Sequence, residues 1–437
     1  MKTRITMILC AAVVAMGLTL SAPVTAQDVG FTIPSQEEVQ RQRDNRRSQA
    51  LGDRVARRVM DAFEQYEEDN VRGAIETLRG ATVRTDYDRA YVARFLGAMY
   101  AALEDDPRAP SLAIENLRAA IEPDVLGWND QRASLQLLGN LYLTQDDYRR
   151  ALEYFERYLK FVGEWEPDVL IRMASAHMEL RNYNMVVNFA EKALQHMDRP
   201  NRNPYLLMIA AHYESNNVRG AIDALERGIT ALPEEKQWWG QLGMFYMLDE
   251  NYDRALATMR IAYDAGYLER ENDFRALVQL FSNNGIPFHA AEVMMRHIDR
   301  GQISGTPQNF SSAARAYHAS REFRRAADAY RKAIEASDDT SANQDFYRRI
   351  GDALLLAERY REAAPAFQEA IRLLPSGEDA GRLYMSLAEA YFYSNQYRQA
   401  YDAANRATRW SSTRRNAENW AAYIKDTAER RGQSVGG

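Results

Sequence analysis

Cysteine is nearly absent: Cys10 is the one example in 437 residues, and it sits in the apolar run that opens the chain. Downstream of that run a disulfide framework, a thiol nucleophile and a Cys-based zinc site are all excluded. Histidine is scarce too, with six scattered residues. His289 and His297 lie eight apart on one expected helix, where a metal pair on a helix face needs four. His177 and His212 fall at or beside repeating core positions and read as half-buried packing residues, while His196 and His318 have no obvious partner. No H-E-x-x-H, G-x-S-x-G or phosphate-cradling glycine loop occurs. Acid pairs such as Glu67-Glu68, Asp105-Asp106 and Glu234-Glu235 fall at expected turns or helix ends, where solvent or a helix dipole accounts for them. The expectation is therefore no catalytic residue, no cofactor, no metal and no enzymatic activity. A basic excess is missing as well. The formal charge of −6 becomes −8 once Lys2 and Arg4 are removed, which offers no footprint for nucleic acid.

The opening residues set an expectation about compartment. Lys2 and Arg4 precede an apolar run from Ile5 to about Leu20, and Ser21-Ala22-Pro23-Val24-Thr25-Ala26 ends in a small-x-small pattern. This is the form of a secretion signal, 1–26, with cleavage expected after Ala26. The run is shorter than the ~20 residues a membrane-spanning helix needs, and no later segment is apolar enough to span. Cys10 follows Leu9, where lipid attachment would want a small residue. Residues 27–51 read as a flexible polar leader with Arg41, Arg43, Arg46 and Arg47, either solvated or a basic contact for anionic lipid or an acidic partner.

Beyond the leader the chain repeats itself. Trp239-x-x-Leu242-Gly243-x-x-Tyr246 leads to Tyr252, Ala255, Met259 and Ala262. Tyr347-x-x-Ile350-Gly351-x-x-Leu354 leads at the same offsets to Tyr360, Ala363, Phe367, Ala370 and Pro375. Leu138-Gly139-x-x-Tyr142, Leu387-Ala388-x-x-Tyr391 and Ala313-Ala314 with Tyr317 begin further copies. The alanine-type position twenty residues into each copy recurs as Ala74, Ala113, Ala151, Val186, Ala221, Ala255, Ala290, Ala326, Ala363 and Ala400, at steps of 34 to 39 residues. This pattern resembles the tetratricopeptide repeat (TPR), a 34-residue helix–turn–helix unit. The resemblance implies an all-α fold: a TPR α-solenoid, a right-handed superhelix of about ten repeats over 52–413. A capping helix and disordered tail are expected over 414–437. Neither helix of a unit can bury its apolar face alone, so small residues at positions 8 and 20 let backbones approach and large ones at 4, 7, 11 and 24 fill the surroundings. Asn182, Asn216-Asn217, Asp249-Glu250-Asn251, Asn283-Asn284-Gly285 and Ser394-Asn395 mark the turns within units.

In such an array positions 2, 5, 9 and 12 of each first (A) helix point into a groove. Here they include Arg94, Gln136, Asn140, Arg275, Gln279, Arg315, Arg348 and Asp352, with Arg172 and Gln241 flanking at position 6. The set suits an acidic partner segment held by guanidinium forks, or is simply a solvated face. The ordered lysine and asparagine clamp for a C-terminal carboxylate is not found. Most tyrosines fall on core positions. Trp238, one residue before the core position of Trp239, is expected to be partly exposed, either as an aromatic anchor for a partner or packed on the preceding unit.

Some stretches carry a narrower likeness. Ala90-Tyr91-Val92-Ala93-Arg94-Phe95-Leu96-Gly97-Ala98-Met99-Tyr100, Lys236-Gln237-Trp238-Trp239-Gly240-Gln241-Leu242-Gly243-Met244-Phe245-Tyr246, Asn284-Gly285-Ile286-Pro287-Phe288-His289-Ala290-Ala291, Tyr384-Met385-Ser386-Leu387-Ala388-Glu389-Ala390-Tyr391-Phe392-Tyr393 and Tyr423-Ile424-Lys425-Asp426-Thr427-Ala428 resemble exported proteobacterial TPR proteins that accompany TonB–ExbB–ExbD systems. The arginine-rich leader and the acidic 105–110 insertion stand out as departures. The resemblance implies a periplasmic scaffold, an adaptor for energised outer-membrane uptake, with TonB, ExbD or an outer-membrane receptor as protein partners. The alternative is a scaffold for cell-envelope biogenesis, in peptidoglycan or outer-membrane assembly. Oligomeric state is left open.

Overall fold

The computed structural model describes residues 28–46 and 49–435. The expected signal peptide, 1–26, and Arg47 of the leader lie outside the described residues. Every regular element described is a helix. α1 (Gln36–Asn45) belongs to the leader, and helix pairs follow. The early pairs are α2 (Asp53–Glu67) with α3 (Val71–Arg79), α4 (Asp86–Ala101) with α5 (Ala109–Ile121), and α6 (Trp128–Thr144) with α7 (Tyr148–Val162). Next come α8 (Pro167–Glu179) with α9 (Tyr183–His196), α10 (Arg202–Glu214) with α11 (Val218–Ala231), and α12 (Gln237–Leu248) with α13 (Tyr252–Asp264). The later pairs are α14 (Glu271–Asn283) with α15 (Pro287–Asp299), α16 (Pro307–Ala319) with α17 (Phe323–Glu335), α18 (Thr340–Leu356) with α19 (Tyr360–Arg372), and α20 (Gly381–Tyr393) with α21 (Tyr397–Ala407). α22 (Arg414–Arg430) closes the series. The chain divides into two compact units, Met1–Ala224 and Leu225–Gly437.

Helix pairing rests on small residues where backbones meet. Ala74, Ala113, Ala151, Ala221, Ala255, Ala290, Ala326, Ala363 and Ala400 are all 0% exposed, which leaves no room for a larger side chain. Close approach also explains two glycines. A Cβ on Gly139 would stand 2.5 Å from Cε1 of Phe155, and one on Gly351 would stand 2.6 Å from the Phe367 ring. Each pair thus locks an A-helix glycine under the aromatic ring of its B helix. Both rings are fully buried, and side chains of this size contribute roughly 1.5–3 kcal/mol each on burial. In the first unit the core runs through Leu138, Phe155, Tyr158, Leu170 and Phe189. In the second it runs through Ile350, Leu354, Phe367, Leu387 and Ile424.

The turns within pairs share one backbone device. Asp69, Asp146, Arg181, Asn216, Glu250, Arg321, Glu358 and Asn395 all have φ between 55° and 64°, and Gly285 takes the same place at 69°. A left-handed residue lets the chain reverse within a few residues, and most repeats accept its strain in a non-glycine residue. The pair α2–α3 is joined to the next by Asp88, which is buried and receives the Gly52 N–H at 3.0 Å. That backbone donor, aided by Thr85, outweighs burial and holds the Asp88 carboxyl below its ordinary range.

Two expectations about the ends are corrected. Residues 28–46 are not a flexible arm but a strap docked on the first unit. Val29 and Val39 are buried, and Phe31 and Ile33 pack on the core cluster. Ser35 and Glu38 form a capping box that starts α1. Arg46 is spent internally, donating to the Leu126 carbonyl at 2.8 Å and pairing with Asp124. At the other end Val435 is 4% exposed against the second unit's core, so the chain after α22 is placed as far as that residue. α22 itself buries Ala417, Ala421, Ile424 and Ala428.

Candidate functional site

The residues expected to line a groove fall in both units. In the first, Arg94 on α4 pairs with Asp130 of α6 at 2.7 Å and lies over the Tyr91 and Phe95 rings. Arg172 on α8 donates to the amide oxygen of Asn140 on α6, and Gln136 is half-buried beside them in sequence register. The guanidiniums here already have acceptors. That corrects the expectation of open forks at Arg94 and Arg172: neighbouring A helices cross-link through them.

In the second unit Gln241 is half-buried, Gln279 is exposed, and Arg275 pairs with Glu271 at 2.7 Å. Arg275 is therefore also engaged, along its own helix. Farther along, the structure gathers three of the expected residues. A cavity of about 260 Å³ is lined by Arg315 and His318 of α16, Tyr330 of α17, and Arg348, Arg349 and Asp352 of α18.

The electrostatics of this cavity are uneven. Arg348 donates to Asp345 at 2.5 Å and to Asp352 at 3.0 Å, and Arg349 donates to Asp345 at 2.6 Å. Burial pushes the Asp345 carboxyl up, but the hydrogen bonds and charges of Arg349 and Arg348 overcome this and leave it below its ordinary value. Asp352 goes the other way: burial raises it, and the same two arginines only partly oppose that. Arg315 reaches only hydroxyls, Ser312 at 2.8 Å and Ser311 at 3.3 Å, and meets no carboxylate among the described residues. Three guanidiniums thus face two carboxylates, with an uncompensated one on the A helix. An arriving carboxylate would find a charge-assisted donor there that needs no existing ion pair to break.

The expected partial exposure of Trp238 is corrected, and of its two readings the packing on the preceding repeat is the one found. Trp238 is 2% exposed and packs against Gly228, where a Cβ would come within 2.7 Å of its ring, while Trp239 is the half-exposed member of the pair. Trp238 is held by α11 and is not a surface anchor. The glycine at 228 exists because the indole lies on the B helix of the preceding repeat.

Other surface features escaped the sequence reading. His318, Tyr330 and Arg349 complete the cavity: His318 stands at groove position 12 and Arg349 at the flanking position 6 of their repeats, where the register already pointed, while Tyr330 is on a B helix. A-helix residues of the first unit expose apolar side chains, Met60, Phe63, Tyr66, Leu206 and Tyr213, and Met244, Leu248 and Tyr393 do so in the second. Phe63 and Met244 occupy position 9, and scanning the groove register for apolar as well as polar residues would have found them. At the end of the second unit Tyr393, Phe392, Trp420 and Tyr423 form a chain of ring contacts, with Trp420 and Tyr423 stacked at 5.4 Å. His177 and His297 take packing positions, whereas His196, His289 and His318 are exposed. His177 stacks on Phe189, and His297, 3% exposed, stacks on Phe274 at 3.8 Å between Gln302 and Tyr263. No group of three or more potential metal-ligating side chains occurs among the described residues.

Paired helices stacked on small residues, with side chains gathered on the A helices, define an α-solenoid of the scaffold class. The repeats are tetratricopeptide repeats: one tetratricopeptide repeat family profile matches 206–266 and 312–378, and a second matches 134–161. The C-terminal part of a TPR repeat-containing protein from Cytophaga hutchinsonii is 16% identical, with a TM-score of 0.37 over 56% of this chain and 97% of that one. A tetratricopeptide repeat protein from Parabacteroides merdae is 14% identical, with a TM-score of 0.29 over 70% and 99%. The TPR2AB domain of yeast Sti1, in its complex with pHSP90, is 15% identical, with a TM-score of 0.35 over 61% and 100%. No curated protein sequence matches the chain. No described helix is long and apolar enough to cross a membrane.

Proposed function

We propose that this protein is a non-catalytic, exported scaffold that works in the periplasm as an adaptor to a TonB–ExbB–ExbD-type system for outer-membrane uptake. The partner segment is acidic and engages the cavity between α16 and α18. The observation that carries the contact is Arg315, a guanidinium without a carboxylate partner beside Arg348, Arg349 and His318. Support for export comes from the residues before Gln27, which have the charge, apolar run and small-residue ending of a secretion signal. Support for the TonB-type setting comes from the stretches at 90–100, 236–246, 284–291, 384–393 and 423–428.

Affinity capture from the periplasm tests the reading, with the protein and its Arg315→Glu variant compared at equal folding by circular dichroism. The expected result is recovery of TonB, ExbD or an outer-membrane receptor with the unaltered protein, falling about tenfold or more with the charge reversal. Recovery of none of these sinks the assignment. Recovery of peptidoglycan or outer-membrane assembly factors instead would move the scaffold to envelope biogenesis.

A further inference from the structure

The strap at residues 28–46 is held the way a bound peptide is held. Its burial alternates: Val29 is buried, Gly30 exposed, Phe31 half-buried, Thr32 exposed and Ile33 half-buried. Phe31 sits 5.3 Å from the Trp165 ring and 6.3 Å from Phe189, with the Lys160 ammonium 5.5 Å from its centroid. Two amides fix the main chains against each other. Asn188 donates to the Asp28 carbonyl at 2.8 Å, and Gln36 donates to the Gly163 carbonyl at 2.7 Å. Gly163, at φ +67°, has no side chain to collide with Val39, which lies where a Cβ would be. Arg46 closes the far end, over Phe161 at 5.0 Å and on the Leu126 carbonyl.

The contacted residues lie on α7, on α9 and in the turns before α6 and α8. These are B helices and turns between repeats of the first unit, whereas the cavity at Arg315 belongs to the second and is lined mainly by A-helix residues. Apolar pockets for alternate residues, side-chain amides on the main chain and a cation over the central ring are the parts of a peptide-recognition site. We infer that the first unit carries a second peptide-binding site on its B helices and inter-repeat turns, with the protein's own residues 28–46 as resident ligand. Segments it can accept in trans share the strap's pattern, with apolar residues at every second position followed by a capped helix. The strap is covalently joined to α2 through a few residues, so its local concentration is of millimolar order and an incoming segment must compete with it.

A labelled synthetic peptide of residues 28–46, titrated into the purified protein and into its Phe31→Asp variant, tests this. The variant's strap loses the ring that packs on Trp165 and Phe189, so the peptide is expected to bind it at least about tenfold more tightly than the unaltered protein. Adding Trp165→Ala to the variant is expected to abolish that binding. Equal affinity for the two proteins, or no binding to a folded variant, overturns the inference. Should Phe31→Asp unfold the protein, hydrogen exchange on the unaltered protein decides. Saturating free peptide is expected to raise exchange at the chain's own residues 28–46, and unchanged protection there overturns the inference. Neither readout depends on the cavity at Arg315 or on any captured partner.

Discussion

His177, His196, His212 and His297 all have values lowered from the ordinary imidazole range, with burial the leading cause in each. For His297 the Gln302 hydrogen bond opposes the shift, while Arg300 and Arg296 reinforce it. A group with a lowered folded value binds its proton more readily when unfolded. The stability it supports is therefore complete above the unfolded value near pH 6.5, and is lost as pH falls from there toward the folded value. Asp352 and Glu389, raised by burial, act in the opposite sense nearer the carboxylate range. Denaturant unfolding between pH 8 and 5 should be flat down to about 6.5 and then weaken. The limit is about 1.4 kcal/mol per pH unit for each proton taken up on unfolding. His297→Gln should reduce that slope. An unchanged slope in the variant would show that this imidazole is not the titrating group.

Glu358 is exposed at the α18–α19 turn with φ 56°, a conformation costing a non-glycine residue about 1–2 kcal/mol. Gly285 shows that glycine serves the same place. Glu358→Gly relieves the strain but loses part of the gain to extra freedom in the unfolded chain, so thermal unfolding should show a net stabilisation of about 0.5–1 kcal/mol. A loss of stability would mean that the glutamate side chain contributes more than its backbone costs. Where Asn or Asp cluster, as at Asn216-Asn217 and Asp249-Glu250-Asn251, the turns were legible from composition; at Arg321 and Glu358 only the apolar spacing on either side marks them. The strap was not legible as a docked element. Its Ser35-x-x-Glu38 capping box is a local signal, but the groups that hold it are Gly163 and Asn188, at separations of 127 and 160 residues. Only the fold brings them together.

For the molecule as a whole, the sequence spoke clearly about backbone proximity and poorly about charge. Small residues at fixed intervals specify where helices touch, so Gly139, Gly351 and the alanine series identified the α-solenoid. Side chains on an A-helix face are another matter. The same register that aims Arg94, Arg275 and Arg348 at a groove also brings Asp130, Glu271, Asp345 and Asp352 within reach. Asp130 lies on the neighbouring repeat, out of reach of a reading along one helix, whereas Glu271, Asp345 and Asp352 stand three or four residues from their arginines on the same helix, where the compensation was legible. Trp238 and Trp239 exchanged roles for a similar reason: Gly228 on the preceding helix opens the pocket that takes the first indole. What remains uncompensated is Arg315 and the cavity around it, and the account of a scaffold with an acidic partner stands on that place.

Site-specific photocrosslinking in cells tests it most directly, with the photoreactive residue at His318, exposed on the cavity wall, and at Arg324, exposed on the B helix α17, as control. The account predicts a covalent adduct from position 318 to TonB, ExbD or an outer-membrane receptor, with none from position 324. No adduct at 318, or equal adducts at both positions, would contradict it.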